Sequence, residues 1–407
     1  MTRRPRSPLT AALPLAAALL CVSGLLAGCS SPDDDPPPGP RATPSGRDDG
    51  RAPGGVERPF RVRAGAIMAP PAGDDVADCT AVDAFLDAVE HAPAGATVRV
   101  ATNSFHLLPV ADALVAAHER GVHVQVLVDR RINRDDDAPD IVQRALGGDR
   151  SAESFLYRVR GSARGGPEGA MHQKTWMVSR TGGSRWVTMV GSLNLTYGCL
   201  DQYNDVYTFV DRRDVWRAFN RVFDQQVRDR PVTDPARVVD LDGVRLWFHP
   251  GFSREDDPVQ RLLDRVRPGP GARLRIVQLA WSGERGLDIA RRVVALHDAG
   301  VRVDVVVGAL GPLVERTLAD GGIEVHRSPF DNGDYVHHKL VLVSWRDDAG
   351  RVRRVVSTGS DNVGDAPFGR DEVVAHVDAD RGAARRSWTS YRRHVDTLLA
   401  RARREGR

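Results

Sequence analysis

The chain has 407 residues, of which 41% are hydrophobic and 27% are charged, and its formal net charge is +3. These values are those of a globular protein with about two domains, each large enough for its own core. Removing residues 1–28 takes away three Arg and no acids, so the net charge becomes 0. The remaining chain therefore lacks the excess of positive charge that is typical of nucleic-acid-binding proteins.

The amino-terminal segment 1–29 has the pattern of a secretory signal peptide. Three Arg precede an apolar run from about Leu9 to Leu26, and small residues then lead to Cys29. The end of this segment resembles the lipobox of bacterial lipoproteins, in which the Cys becomes the lipidated first residue. We therefore expect an extracytoplasmic protein that is anchored to the cell membrane through Cys29. An uncleaved membrane anchor is the alternative, since the run approaches spanning length, but Pro14 interrupts it.

Residues 30–57 are rich in Asp, Pro, Gly, Ser and Arg and contain almost nothing apolar. Such a segment cannot bury enough surface to fold, so we predict a disordered tether between the anchor and the folded body. The remainder is an internal repeat, whose two lobes we place at 58–235 and 236–407. Pro and Gly residues break the hydrophobic periodicity between them, near 230–242.

Each lobe begins with a predicted strand–helix–strand unit, in which a glycine ends the helix (Gly121 and Gly300). Such units place their strands in parallel and pack the helix on the sheet. The predicted fold is α/β, with two similar lobes of mostly parallel or mixed sheets flanked by helices. The three elements cover residues 97–101, 109–120 and 122–129 in the first copy, and 274–277, 287–299 and 301–307 in the second.

Each copy continues with two apolar strands around a polar turn and closes with a helix that carries aromatic residues. The strands are predicted at 175–178, 186–190, 340–343 and 352–356, and the helices at 215–227 and 388–400.

The chain contains only two Lys, and each lies two positions after a His: His172 precedes Lys174, and His337 precedes Lys339. Everywhere else the chain uses Arg where Lys or Arg could stand. The two side chains differ, because Lys carries a compact point charge and Arg a planar, forked one. These two positions therefore indicate a need for the point charge. On an extended strand, residues i and i+2 share a face, so each His and its Lys can act on one ligand. His338 points to the opposite face, and we interpret it as structural.

A Gly-Ser-x-Asn turn and an acid follow each pair, and the offset between the copies is nearly the same for the Lys, the Ser and the acids. Two Lys and two Asn around one point suit an anion with several oxygens, above all phosphate. Two His suit nucleophilic attack by one and acid–base work by the other. We expect each acid to orient the His of its own half. The residues concerned are Ser192, Asn194, Asp205, Ser360, Asn362 and Glu372.

These paired motifs resemble those of the phospholipase D superfamily, over about residues 60–400. The resemblance implies two lobes related by a pseudo-twofold axis, with one active site at their interface. It implies that His172 forms a covalent phosphohistidine and that His337 acts as acid and base. No metal or other cofactor is implied, and one chain supplies both halves, so a monomer is sufficient for a complete site.

The resemblance also assigns roles to the other motif residues. It implies that both Lys and both Asn hold phosphoryl oxygens, that Ser192 and Ser360 belong to the substrate-binding turn, and that Asp205 is a shorter stand-in for the usual orienting Glu. One departure is visible. The family has an Asp five positions after each Lys, where this chain has Ser179 and Ser344. Ser also hydrogen-bonds backbone, though more weakly, so we expect an effect on local rigidity rather than chemistry.

Cys79 and Cys199 remain once the signal segment is set aside. In an oxidising compartment they either form a disulfide or stay as two buried thiols, and the sequence leaves both alternatives open.

Three functions compete on the sequence alone. The leading hypothesis is a lipid-anchored phospholipase D that hydrolyses or transphosphatidylates glycerophospholipids, since Asp331-Asn332-Gly333 before His337 also resembles secreted bacterial phospholipases D. A nuclease is the alternative, which an Arg-lined groove would favour. The third is an inactive surface protein that binds phosphate-bearing partners. The basic stretch from Arg385 to Arg407 fits a local basic patch and a solvated helix face equally well.

Overall fold

A computed structural model of the chain describes residues 59–73, 75, 78–134 and 136–406. The predicted signal peptide, the lipidation site at Cys29 and the tether lie outside these residues. Within the described part, no helix is both long enough and apolar enough to cross a membrane.

The first half of the chain builds one sheet, in the order β1-β7-β6-β5-β2-β3-β4. Strands β2, β3 and β4 are parallel, whereas β5, β6, β7 and β1 are antiparallel to their neighbours. Its elements are β1 (Gly65–Ala69), α1 (Thr80–Glu90), β2 (Thr97–Thr102), α2 (Leu108–Glu119), β3 (His123–Asp129), α3 (Asp137–Leu146), β4 (Phe155–Val159), β5 (Lys174–Thr181), β6 (Ser184–Gly191), β7 (Gln202–Phe209) and α4 (Arg213–Val227).

The second half builds a sheet of the order β12-β11-β10-β14-β15-β16-β9-β8, which repeats the first with one added edge strand. The short strand β13 leaves this half and pairs in parallel with β7 of the other. The elements are β8 (Arg237–Leu241), β9 (Val244–Phe248), α5 (Pro258–Leu263), β10 (Arg273–Trp281), α6 (Gly283–Asp298), β11 (Arg302–Leu310), α7 (Pro312–Asp320), β12 (Val325–Arg327), β13 (Tyr335–Val336), β14 (Lys339–Arg346), β15 (Val352–Gly359), β16 (Val373–Asp378) and α8 (Gly382–Arg404).

The predicted fold class is confirmed. Strands β2 and β3 pair in parallel, as do β10 and β11, and a helix connects the strands of each pair. Gly121 and Gly300 follow these helices with φ of +87° and +93°, a left-handed conformation that other residues adopt only at a cost. The change from one sheet to the other falls between the end of β7 and the start of β8.

A shared apolar core joins the two sheets. Helix α4 contacts β6 of the first sheet and β8 of the second, while α8 contacts β1 of the first and β15 of the second. Phe219 of α4 and Tyr391 of α8 are buried in the same cluster as Leu246 and Val356 of the second sheet. Separate cores lie beneath α1 to α3 and beneath α5 to α7. Because both halves contribute to the central layer, their facing edges are held in a fixed relation.

Cys79 and Cys199 form a disulfide, which settles the alternative that the sequence leaves open. The bridge ties the start of α1 to the loop between β6 and β7, and both residues are buried, at 1% and 3% exposure.

Candidate active site

Backbone hydrogen bonds between the two halves position both motif histidines. The His172 N–H donates to the carbonyl of Asp371 (3.0 Å), and the His337 N–H donates to the carbonyl of Tyr203 (2.9 Å). The number of residues from Tyr203 to Asp371 equals the number from Ser192 to Ser360, the two motif Ser. The two contacts are therefore equivalent under the pseudo-twofold relation, and each half places the histidine of the other.

Each imidazole ring also contacts a side chain of the opposite half. Nδ1 of His172 lies 2.7 Å from Oε1 of Glu372. Nδ1 of His337 lies 2.8 Å from Oδ1 of Asn204. Carboxylate and amide oxygens are acceptors, so these two contacts favour the tautomer of each neutral imidazole that has its proton on Nδ1 and its lone pair on Nε2. Nε2 is the atom that is left for chemistry in both rings.

The predicted orienting role of Asp205 is wrong by one residue. Ser192 N–H donates to the carbonyl of Asp205, and Ser360 N–H to the carbonyl of Val373, so Asp205 corresponds to Val373 and Asn204 corresponds to Glu372. A Cβ on either motif glycine, Gly191 or Gly359, would lie 2.0 Å from these same carbonyl oxygens. The predicted pairing within each half is wrong as well, because Glu372 contacts His172 and not His337.

Asp205 instead lies in a buried network behind the site. Its carboxylate accepts from Nδ1 of His338 (2.9 Å), the Tyr391 hydroxyl (2.8 Å) and the Thr358 hydroxyl. Burial by itself raises the pKa of Asp205, but the hydrogen bonds from His338, Thr358 and Tyr391 outweigh it and hold the pKa below the usual value. The second ring nitrogen of His338 lies 2.8 Å from Nε2 of His394. His338 is thus a structural residue on the other face, as the sequence predicts.

Both Lys side chains are buried, at 1% exposure for Lys174 and 4% for Lys339. Each Nζ donates to the carbonyl of its own motif His, at 2.7 and 2.6 Å, which leaves further N–H groups for a ligand. Burial lowers the pKa of Lys174 to about 7. Burial, followed by the charge of Lys174, lowers the pKa of Lys339 well below its usual value. Two buried ammonium groups that repel each other favour the binding of an anion between them.

The surroundings of the two histidines favour the neutral form of each ring. Burial lowers the pKa of both well below the usual value. After burial, the largest contributions are the charges of Lys174 and Arg370 for His172, and of Lys339 and Lys174 for His337. A neutral ring carries the lone pair that a nucleophile needs.

The Asn and Ser of the two turns divide into different roles. The side-chain oxygens of Asn194 and Asn362 are buried and make no hydrogen bond to any described residue, so these two acceptors remain available to a donor. Ser192 and Ser360 are fully buried. The Ser192 hydroxyl donates to Oδ1 of Asn204 (2.9 Å). Burial raises the pKa of Glu372, and the charge of Lys174 and a hydrogen bond from Ser360 oppose that rise. Contrary to the prediction, the two Ser support the orienting residues instead of lining the substrate space.

Sequence reasoning missed the residues that brace the second turn. Arg285 donates to both carboxylate oxygens of Asp361, at 2.7 Å each, and also binds Asp257 and the carbonyl of Asn362. His249 is fully buried, and its backbone N–H donates to the backbone carbonyl of Glu372 (3.1 Å). The first copy has Leu193 where Asp361 stands, so no repeated pattern marks this ion cluster.

A basic groove lies beside the first half of the site. The carboxyl ends of the parallel strands β2, β3 and β4 share one edge of the sheet with Lys174, which pairs with Thr102 at the end of β2. The loops at this edge form a groove of about 410 Å³. Arg131 donates to the carbonyl of Gly169, which shortly precedes His172 in the chain. We call this surface the arginine groove, and its cations are Arg130, Arg131, Arg134 and Arg160.

Comparison with known proteins agrees with this fold. Residues 90–227 match the family model described as "Cardiolipin synthase, PLD-like domain". The chain is similar in structure to phosphatidylserine synthase from Haemophilus influenzae Rd KW20, with 12% identity and a TM-score of 0.57 over 84% of this chain and 89% of that one. It is also similar to polyphosphate kinase from Porphyromonas gingivalis, with 15% identity and a TM-score of 0.50 over 79% of this chain. The chain spans only 48% of that kinase.

A shorter similarity extends to Nuc from Salmonella typhimurium, with 19% identity and a TM-score of 0.30 over 40% of this chain and 92% of that one. No curated protein sequence matches the chain significantly. Residues 90–227 therefore carry a PLD-like domain, and the described chain has a fold similar to that of phosphatidylserine synthase. The resemblance that the paired motifs indicate is therefore confirmed.

Proposed function

We propose that the protein is a phospholipase D-type phosphodiesterase that cleaves the headgroup ester of glycerophospholipids. The observation that carries this proposal is the contact between His172 and Glu372 beside two buried Lys. In the first step, Nε2 of His172 attacks phosphorus, and the bond from phosphorus to the headgroup oxygen breaks. The leaving oxygen takes a proton from Nε2 of His337, so that a phosphohistidine and a free headgroup alcohol result.

The second step regenerates the enzyme. Nε2 of His337, now neutral, accepts a proton from a water molecule, whose oxygen attacks phosphorus and displaces His172. The products are phosphatidic acid and the starting enzyme. An alcohol in place of water gives transphosphatidylation by the same route. In both steps Lys174, Lys339 and the amides of Asn194 and Asn362 stabilise the phosphoryl oxygens.

His172 is the better candidate for the nucleophile because of the group behind it. When Nε2 bonds to phosphorus, the ring becomes positively charged, and the carboxyl group of Glu372 at 2.7 Å can stabilise that charge. Behind His337 stands only the neutral amide of Asn204. For His337 to act as an acid it must be protonated, which the negative charge of a bound phosphodiester favours.

A lipid substrate is supported by the expected export signal and by lipidation at Cys29, which would hold the folded body at a membrane surface outside the cytoplasm. Purified full-length protein should release headgroup from vesicles of phosphatidylcholine, phosphatidylethanolamine or phosphatidylglycerol, and His172→Asn should not. Acid quench followed by mass spectrometry should find phosphate on His172. Absence of release from all three lipids would contradict the proposal.

A nuclease is the second candidate, and the arginine groove is the observation that favours it. Four Arg beside the site match the backbone charge of a nucleic acid. Degradation of plasmid DNA, lost in His172→Asn and weakened in Arg131→Gln/Arg134→Gln, would favour this function over lipid cleavage. Arg393→Gln, on the exposed face of α8, is the matched control.

A further inference from the structure

A second basic cleft lies at the opposite end of the second sheet from the motif residues. Strand β14 begins at Lys339, in the active site, and its other end reaches this cleft at Ser344. The cleft has a volume of about 370 Å³, and no acidic side chain of the described residues lines it. We call it the distal cleft, and its cations are Arg273, Arg275, Arg354, Arg385 and Arg392.

Two of these arginines stand on either side of Ser344 in the sheet. Arg273 of β10 and Arg354 of β15 are the direct cross-strand partners of Ser344, so the three side chains share one face. Ser344 occupies the position where the family pattern has Asp. An Asp there would lie between two cations and neutralise them. With Ser at position 344, the positive charges of Arg273 and Arg354 are not neutralised from this position.

Nearby acids balance only part of the cleft. Arg273 pairs with Asp304 (2.7 Å), while Arg275 and Arg392 share Asp396 (2.7 and 3.2 Å). Asp304 and Asp396 are thus already in ion pairs with these three arginines.

Arg354 and Arg385 form no ion pair with any described carboxylate. Asp380 accepts from the backbone N–H of Arg354 (2.8 Å), but its ion pair is with Arg353 (3.1 Å). Burial, and next the charge of Arg385, lower the pKa of Arg354, which indicates that the two guanidinium groups repel each other. Two neighbouring guanidinium groups that have no ion-pair partner in a concave site are stabilised when an anion binds.

We propose that the distal cleft binds a ligand that carries two or more phosphate charges. Arginine forks match phosphate oxygens in pairs, and the volume suits a small ligand. Such a phosphate can belong to a free molecule or to the headgroup of a lipid. This binding is separate from the proposed catalytic function, because none of the five cleft arginines belongs to the paired motifs.

Calorimetric titration with inorganic tripolyphosphate tests the proposal. Lys174→Met/Lys339→Met/Arg131→Gln/Arg134→Gln serves as the parent, so that neither the active site nor the arginine groove contributes phosphate binding. We expect one molar equivalent to bind, and the affinity to fall at least tenfold in Arg354→Gln/Arg385→Gln. Ser344→Asp, which supplies the missing acid, should abolish binding without lowering Tm. Arg393→Gln/Arg403→Gln, two exposed positions of α8 outside the cleft, should bind as the parent does.

Vesicle sedimentation then distinguishes the two sources of phosphate. Binding to phosphatidic acid vesicles but not to phosphatidylcholine vesicles, lost in Ser344→Asp, assigns a lipid headgroup. Tripolyphosphate binding without any Ser344-dependent vesicle binding assigns a free phosphate compound. Tripolyphosphate binding that survives in both Ser344→Asp and Arg354→Gln/Arg385→Gln, or no binding of either probe, overturns the proposal.

Discussion

Nδ1 of His172 lies 2.7 Å from a carboxyl oxygen of Glu372, whereas the equivalent ring of His337 faces the amide of Asn204 at 2.8 Å. The two imidazoles are related by pseudo-symmetry but differ in the charge behind them. In the proposed mechanism this difference makes His172 the nucleophile and His337 the acid and base, and it leads to the first two predictions.

Glu372→Gln should lower kcat about 10²- to 10⁴-fold. The amide can still accept from Nδ1 of His172, but it does not stabilise the positive ring of the phosphohistidine. Steady-state and rapid-quench kinetics on a cleavable phosphodiester check this, with circular dichroism to verify folding. A loss of less than threefold would show that the carboxyl charge contributes little.

Asn204→Asp should raise the pKa of His337 by about one unit or more, since an opposite charge in hydrogen-bond contact favours the imidazolium. The acidic limb of the rate of phosphohistidine hydrolysis, the step in which a neutral His337 accepts the proton of water, should therefore move to higher pH. NMR titration of the His337 ring reports the shift directly. Asn204→Ala is the control, because it removes the contact and adds no charge. An unchanged profile in Asn204→Asp would mean that His337 does not set that limb.

Asp205→Asn should cost stability more than chemistry. The carboxylate binds His338, Thr358 and Tyr391 in a fully buried network, and loss of one partner of such a network costs about 3–5 kcal/mol. Urea unfolding should show this loss, while kcat of the folded fraction stays within about tenfold. A large drop in kcat at unchanged stability would restore the orienting role that the structure gives to Asn204.

The alkaline limb of kcat/KM should report Lys174. Burial lowers its pKa to about 7, so in the substrate-free enzyme the ammonium is charged below that pH and neutral above it. Since only the charged form attracts the phosphodiester, kcat/KM should fall as pH rises through about 7 toward 9. Lys174→Arg stays protonated throughout this range, so the contribution of Lys174 to the limb should disappear, and any fall that remains belongs to Lys339, whose pKa is also lowered. A flat wild-type profile from pH 7 to 9 would contradict the assignment.

Removal of the disulfide should destabilise the first half. The bridge closes a loop with a sequence separation of 120 residues, and the chain-entropy model gives about 4–5 kcal/mol for a loop of that order. Cys79→Ala/Cys199→Ala should unfold at lower urea concentration than the parent. Added reductant should destabilise the parent after unfolding and leave the variant unchanged, because both sulfurs are buried.

The motif residues could be predicted from the sequence because each set lies within a few positions and occurs twice. The partner of each His could not, because the contacts cross between halves. The error at Asp205 has a specific origin. The step from Asp205 to Glu372 is one position shorter than the step between the two motif Ser, so the predicted acids are out of register. Asn204 lies at the full step before Glu372, but a search for paired acids does not select it, because its side chain is an amide.

Some elements of the fold could be predicted from the sequence and others could not. The predicted strand–helix–strand units match β2, α2 and β3 because their hydrophobic periodicity is strong. The short strand β13 has no such signal, although it places His337 against the other half. Arg285 and its carboxylate partners are likewise invisible, because they meet only through tertiary packing.

The exchange of supporting groups between the halves has one further consequence. An assembly of two identical copies of either half would put the same group behind both rings, two acids or two amides, and the empty enzyme could not tell them apart. Two unlike halves in one chain remove that ambiguity, so under the proposed mechanism the protein itself determines which His attacks phosphorus, before any substrate binds.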